Sequence, residues 1–284
     1  MQGRAERCPG HPGLVGIYGR PFLDLEPYVD ASALAAIHEE ICLALAQVPL
    51  GYTGGSHRAM HIMPPSREHE ALVDYQETIR AMSEAQFETF RMLADDPGAF
   101  SPADRGRLEF GEERSVPLSR RQMQWLKVRF GVYFPWKGYV ELIPNQRWDD
   151  KANPEGKSFT RVARAFFPKT VAFVEKLPFQ SIGRCNVMGL EGFDYGTVHR
   201  DGEPEEQEAP DPFITFCPAA DKRLFLWDDV AAKEIDVTAR VFWFNDFDYH
   251  GVRAAPHFRY SVRVDGVFET AFSERLAADF GASA

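Results

Sequence analysis

The chain has 284 residues, of which 44% are hydrophobic and 13% aromatic, enough for one sizeable core and too much for a disordered chain. Its formal net charge of -10 argues against nucleic acid or an anionic membrane surface as the main partner, because both need a basic face. The four cysteines, Cys8, Cys42, Cys185 and Cys217, share no CxxC spacing. A zinc knuckle or redox pair is therefore not signalled, and a reducing compartment is expected. Neither a signal-peptide run at the N-terminus nor a stretch of ~20 apolar residues is present, so a cytoplasmic protein is expected.

The N-terminal 180 residues read as mainly helical. Asp30 suits an N-cap, and Leu34, Ile37, Ile41, Leu45 and Val48 follow at helical spacing. A second helix is predicted over 67–93 from Leu72, Tyr75, Ile79, Met82, Phe87 and Phe90, ended by Asp96-Pro97-Gly98. Between the two helices lies the loop-rich segment GYTGGSHRAMHIMPPSR, whose His57 and His61 stand four apart. The preceding Gly-Gly makes a helical metal pair doubtful there, and the segment suits the mouth of a pocket better. Residues 122–134 are ambiguous between helix and strand. A third helix over 158–177 contains Pro168, which kinks or splits it.

From Ser181 the pattern changes to short segments of period two. Strands are expected at 183–190, 197–200, 213–217, 223–227, 234–237, 239–244 and 259–264, separated by turn residues. A run of short strands without crossover helices argues for an antiparallel sandwich or barrel. A helix over 269–280 closes the chain. The expected class is α+β: one domain with a β core at 181–268 and the N-terminal helices packed on one sheet.

His199 and Asp201 are two positions apart, so an imidazole and a carboxylate at a strand end share one side. His250 follows the apolar run Arg240-Val-Phe-Trp-Phe244. Two histidines and one carboxylate on one face of a metal leave the other positions open, as an iron centre that binds O2 and a co-substrate requires. A closed zinc site would need a fourth ligand, and nothing in its spacing selects Cys217. Farther on, Arg259, Ser261 and Arg263 alternate with Tyr260, Val262 and Val264. Such a polar row is either the solvated face of an edge strand or the lining of a barrel that holds something polar, such as a dicarboxylate.

The order H-x-D, distal His, R-x-S resembles the iron(II)/2-oxoglutarate-dependent oxygenases. The residues that carry the resemblance are His199, Asp201, His250, Arg259 and Ser261, over roughly 181–268. It implies a double-stranded β-helix, a jelly-roll of the cupin type. It also implies Fe(II) on His199, Asp201 and His250, with Arg259 and Ser261 holding the distal carboxylate of 2-oxoglutarate. O2 is then the second co-substrate and succinate a product. Halogenating members replace the acidic ligand with a small residue, so Asp201 favours hydroxylation. A small molecule or a peptide is the substrate such a site implies, with an amino acid or its derivative preferred.

Arg184, Asn186 and Met188 share one face of a predicted strand and are candidates for substrate or supporting contacts. Arg253 competes with Arg259 as carboxylate anchor. The acidic run behind the dyad, with Glu203, Glu205, Glu206 and Glu208, is a solvated loop or a lid that favours a cationic substrate. Two other readings remain: a cupin-like lyase or isomerase that uses the metal without 2-oxoglutarate, and a non-enzymatic β-sandwich binding module.

Overall fold

The structure is a computed structural model that describes all residues except 1–6, 53–54, 68, 112–113, 146–149, 204–208, 220–223 and 282–284. In chain order the elements are β1 (Phe22–Asp24), α1 (Leu34–Leu45), α2 (His57–Met60), α3 (Tyr75–Ala81), α4 (Glu84–Met92), α5 (Arg120–Phe130), β2 (Gly138–Ile143), α6 (Arg161–Phe166), α7 (Pro168–Val174), β3 (Phe179–Leu190), β4 (Gly196–His199), β5 (Phe213–Phe216), β6 (Leu224–Asp228), β7 (Lys233–Asp236), β8 (Val241–Phe244), β9 (His250–Val252), β10 (Arg259–Phe268) and α8 (Thr270–Phe280). None of the described helices is long and apolar enough to cross a membrane.

The strands form two antiparallel sheets, one ordered β1-β8-β5-β10-β3-β2 and the other β4-β9-β6-β7. Without the two early strands, which only extend the edges of the first sheet, β3 to β10 divide as β8-β5-β10-β3 and β4-β9-β6-β7. This is a jelly-roll, in which consecutive strands keep changing sheets and closure leaves few exposed edges. The α+β expectation holds.

The outer face of the first sheet is apolar and carries helices. Val187, Val262 and Val264 join Ile37, Ile41, Val171 and Val174 in the main core. The OH of Tyr260 reaches His38 Nδ1 on α1 at 3.0 Å, and Phe173 on α7 meets Phe216 edge-on at 5.0 Å. Buried Glu40 of α1 accepts from the backbone N–H groups of Lys169 and Thr170, both at 2.7 Å. It satisfies the first turn of α7 with a carboxylate from another helix.

The helix predicted over 67–93 is two helices. Met82 is extended (ψ 142°) and Ser83 starts α4 with a capping box to Gln86, which satisfies the donors a new helix end exposes. Pro168 likewise starts a helix rather than kinking one. Residues 120–130 are helical, with Gly131 left-handed at the C-terminus. Tyr75, Ile79, Phe87, Phe90, Phe100, Phe110, Leu126 and Phe134 make a second apolar cluster apart from the main core. This helical unit sits between α1 and β2 in sequence, and the segment that leads into it borders a cavity between the two sheets.

Candidate metal centre

His199 closes β4 and His250 opens β9, and the two are direct cross-strand partners. The pairing explains how histidines so far apart in sequence come together: adjacent residues of an antiparallel pair project on the same face. Their ring centroids are 4.3 Å apart. Asp201 lies just beyond the strand, with its Oδ1 3.6 Å from His199 Nε2 and 3.9 Å from His250 Nε2. Two donors each ~2.1 Å from one ion can be at most ~4.2 Å apart, and both histidine–Asp201 distances meet that limit. Among the described residues, these three side chains are the group whose donor atoms all fall within 4.8 Å of one another.

The local backbone sets the chemistry of each ring. His199 Nδ1 donates to the carbonyl of Thr197 at 2.8 Å, and His250 Nδ1 to the carbonyl of Asp248 at 3.0 Å. A carbonyl only accepts, so the proton sits on Nδ1 and the Nε2 lone pairs face Asp201. Burial holds both imidazoles below the ordinary histidine pKa, His250 most strongly. For Asp201, burial raises the pKa, but Arg263 followed by His199 outweighs it and keeps the carboxyl below its usual value. Neutral imidazoles and an ionised carboxylate are the protonation states that bind a divalent cation.

Beside the triad lies a cavity of ≈ 220 Å³ between the two sheets. Its apolar wall includes Met60, Ile62, Trp136, Met188, Leu224, Phe244 and Val252, and its polar wall Tyr139, Thr215, Ser261 and Arg263. His57 lines it too, stacked on His199 with centroids 3.5 Å apart. His61 does not share that place: it is exposed and 3.7 Å from Asp74.

The other residues singled out from sequence separate. Ser261 and Met188 border the cavity. Arg259 is fully buried on the same face of β10, but its guanidinium donates to the carbonyls of Asp194 and Arg253, each at 2.6 Å, and of Glu191. It is not among the residues lining the cavity. Arg253 bonds Glu234 and Asp236 on β7, away from the metal ligands. Arg184 pairs with Asp265 at 2.8 Å, and Asn186 donates to the Tyr139 hydroxyl at 2.7 Å. Glu203 pairs with Arg200, while Glu205, Glu206 and Glu208 lie outside the described residues.

Sequence reasoning placed Arg263 only in the polar row of β10 and gave no role to Lys151, Asp246 or Asp265. Together with Asp201 and Arg184 these charges form a continuous buried network. Arg263 was visible only as part of the polar half of the β10 alternation. Lys151 and Asp246 carried no periodic signal.

No family model matches the chain, and no curated protein matches it. Solved structures give distant likenesses. The viral collagen prolyl hydroxylase of Paramecium Bursaria Chlorella virus-1 is 10% identical over 46% of this chain and 79% of that one, with a TM-score of 0.26. A Trichoplax adhaerens prolyl hydroxylase, solved with a hypoxia inducible factor peptide, is 9% identical over 70% and 98%, with a TM-score of 0.29. The DMSP lyase DddQ of Ruegeria pomeroyi is 13% identical over 84% and 94%, with a TM-score of 0.28.

Proposed function

We propose that the chain is an Fe(II)/2-oxoglutarate-dependent oxygenase that hydroxylates an unactivated C–H bond of an amino acid, a peptide or a natural-product intermediate. One observation carries the reading: two Nε2 atoms and one carboxylate oxygen converge beside a cavity, each held by the protein from its far side. That donor set fits a divalent iron with open positions facing the cavity.

His199, Asp201 and His250 would hold the metal, and the carboxylate of Asp201 fills the place a halide would need. When bound, iron and the keto acid supply the oxidation: O2 is consumed, 2-oxoglutarate becomes succinate and CO2, and the remaining oxygen atom enters the substrate. The chain's own residues bind and orient. Ser261, with the hydroxyls of Tyr139 and Thr215, offers hydrogen bonds along one wall. Arg259, two positions earlier on the same face of β10, is fixed by backbone carbonyls. Trp136, Met60, Ile62, Met188 and Phe244 keep the reacting end dry and accept an apolar part of the substrate.

A second reading has one observation in its favour. Because Arg259 is bonded to backbone carbonyls and does not line the cavity, a metal-dependent lyase or isomerase that needs no keto acid fits the same triad. Anaerobic titration separates the two. Fe(II) followed by 2-oxoglutarate should produce the weak visible charge-transfer band of the chelate. Metal binding with no band selects the second reading, and no metal binding rejects both.

A further inference from the structure

Resting on the reading of the triad as a metal site, we propose that Arg263 is a positioning residue that restricts Asp201 to one coordinating oxygen. The two oxygens of Asp201 are not equivalent. Oδ1 faces the histidines, at 3.6 Å from one Nε2 and 3.9 Å from the other. Oδ2 accepts from Arg263 Nη1 at 3.0 Å. A carboxylate beside a divalent ion can present one oxygen or both. Using both here means sharing Oδ2 between the ion and Arg263, which weakens a charge-assisted bond in a buried site, where such a bond is worth most.

Arg263 cannot follow Asp201 by turning. Its Nε donates to Asp265 at 2.9 Å and its Nη2 to Asp246 at 2.5 Å, so each edge of the planar fork meets a different carboxylate. The Phe213 ring lies 3.9 Å from the guanidinium carbon. The two holding carboxylates are themselves held. Asp265 receives Arg184 at 2.8 Å, and Asp246 receives Lys151 at 2.9 Å. Lys151 also reaches Asp211, at 2.7 Å. The chain of charges from Asp201 through Arg263, Asp246 and Lys151 to Asp211 therefore spans both ends of the acidic segment behind the dyad. With Asp201 limited to Oδ1, the protein takes three coordination positions and leaves the rest to ligands in the cavity.

The test uses Co(II) added to metal-free protein, reading its dissociation constant and visible d–d spectrum. Thermal melts establish that each variant is folded. Arg263→Gln should bind Co(II) about 10- to 100-fold more weakly and shift the band position and intensity as Asp201 becomes free to use both oxygens. Arg263→Lys keeps a cation but not the fork, and should fall between Arg263→Gln and the native protein. Folded Arg263→Gln with native affinity and spectrum overturns the proposal. If Arg263→Gln does not fold, Arg263→Lys decides the matter, and native affinity and spectrum in that variant overturn it. Native protein that binds no Co(II) overturns the metal reading itself, a different result from native binding that Arg263 does not influence.

Discussion

The imidazole of His57 lies against that of His199 with ring centroids 3.5 Å apart and planes 19° from parallel. Thr197 holds both: its carbonyl takes the Nδ1 proton of His199, and its hydroxyl sits 2.5 Å from Nδ1 of His57. His57→Ala opens a void against a metal ligand, which for a buried ring of this size lowers stability by about 2–4 kcal/mol. Metal affinity should fall several-fold, and His57→Phe, which restores the stack, should recover most of it. Equal metal affinity in the alanine variant, measured by calorimetry with Mn(II), contradicts a supporting role for the stack.

Asp201→Asn keeps the shape of the ligand and removes its charge. Metal affinity should drop by two orders of magnitude or more, roughly in line with losing a charged ligand from a divalent site. The variant also leaves Arg263 one carboxylate short, with Asp246 and Asp265 still paired to it, so the metal-free protein should lose about 1–3 kcal/mol of stability. Denaturant unfolding of the metal-free protein reads the second effect separately from the first.

The metal-free protein should lose stability as the pH falls below neutrality. Burial holds His199 and His250 below the ordinary imidazole pKa of about 6.5, so the unfolded chain takes up protons first. The stability they support is complete above that pH and declines below it. Asp201 and Asp265, also held low, act in the same direction but only in more acidic solution, near and below the ordinary carboxylate range. Asp248, pushed up to about 6 by burial, opposes them: between about pH 4 and 6 the native state binds its proton first, and stability falls as pH rises. Melting temperatures between about pH 7 and pH 6 in Asp248→Asn, which removes the opposing group, report the histidines, and a flat profile in that variant contradicts neutral, buried imidazoles.

Ser261 and Arg259 should respond differently to alanine. Ser261→Ala removes one hydroxyl from the cavity wall and should weaken 2-oxoglutarate binding several-fold with little change in melting temperature. Arg259→Ala strips the donor from three backbone carbonyls and should destabilise by at least about 1–3 kcal/mol. Weaker keto-acid binding in a stable Arg259 variant would favour direct contact between its guanidinium and the ligand.

Much of the jelly-roll was legible because its strands are apolar and bounded by turn residues. β1, β2 and β9 were not, for separate reasons. β1 and β2 precede the strand-rich half and pair with partners hundreds or tens of residues away. β9 is three residues long and contains Gly251, where a Cβ would lie 2.8 Å from the Phe225 ring. The triad was readable from H-x-D and the distal His. The buried charge network was not, since Lys151 joins it from a loop between β2 and α6, with no local pattern to mark it. Arg259 shows a further limit: strand alternation gave its face but could not show that loop carbonyls take up its guanidinium.

The proposed metal ligands belong to the jelly-roll, whereas His57, Met60 and Ile62 reach the cavity from the segment that leads into the helical unit with its own apolar cluster. The proposed ion cage and this part of the cavity wall are thus built from separate cores. Substitutions at Met60 and Ile62, which leave the stack of His57 on His199 in place, can redraw the range of accepted molecules while the ligand cage keeps its shape. A mutant library aimed at new substrates should begin on that helical shoulder and leave the barrel untouched.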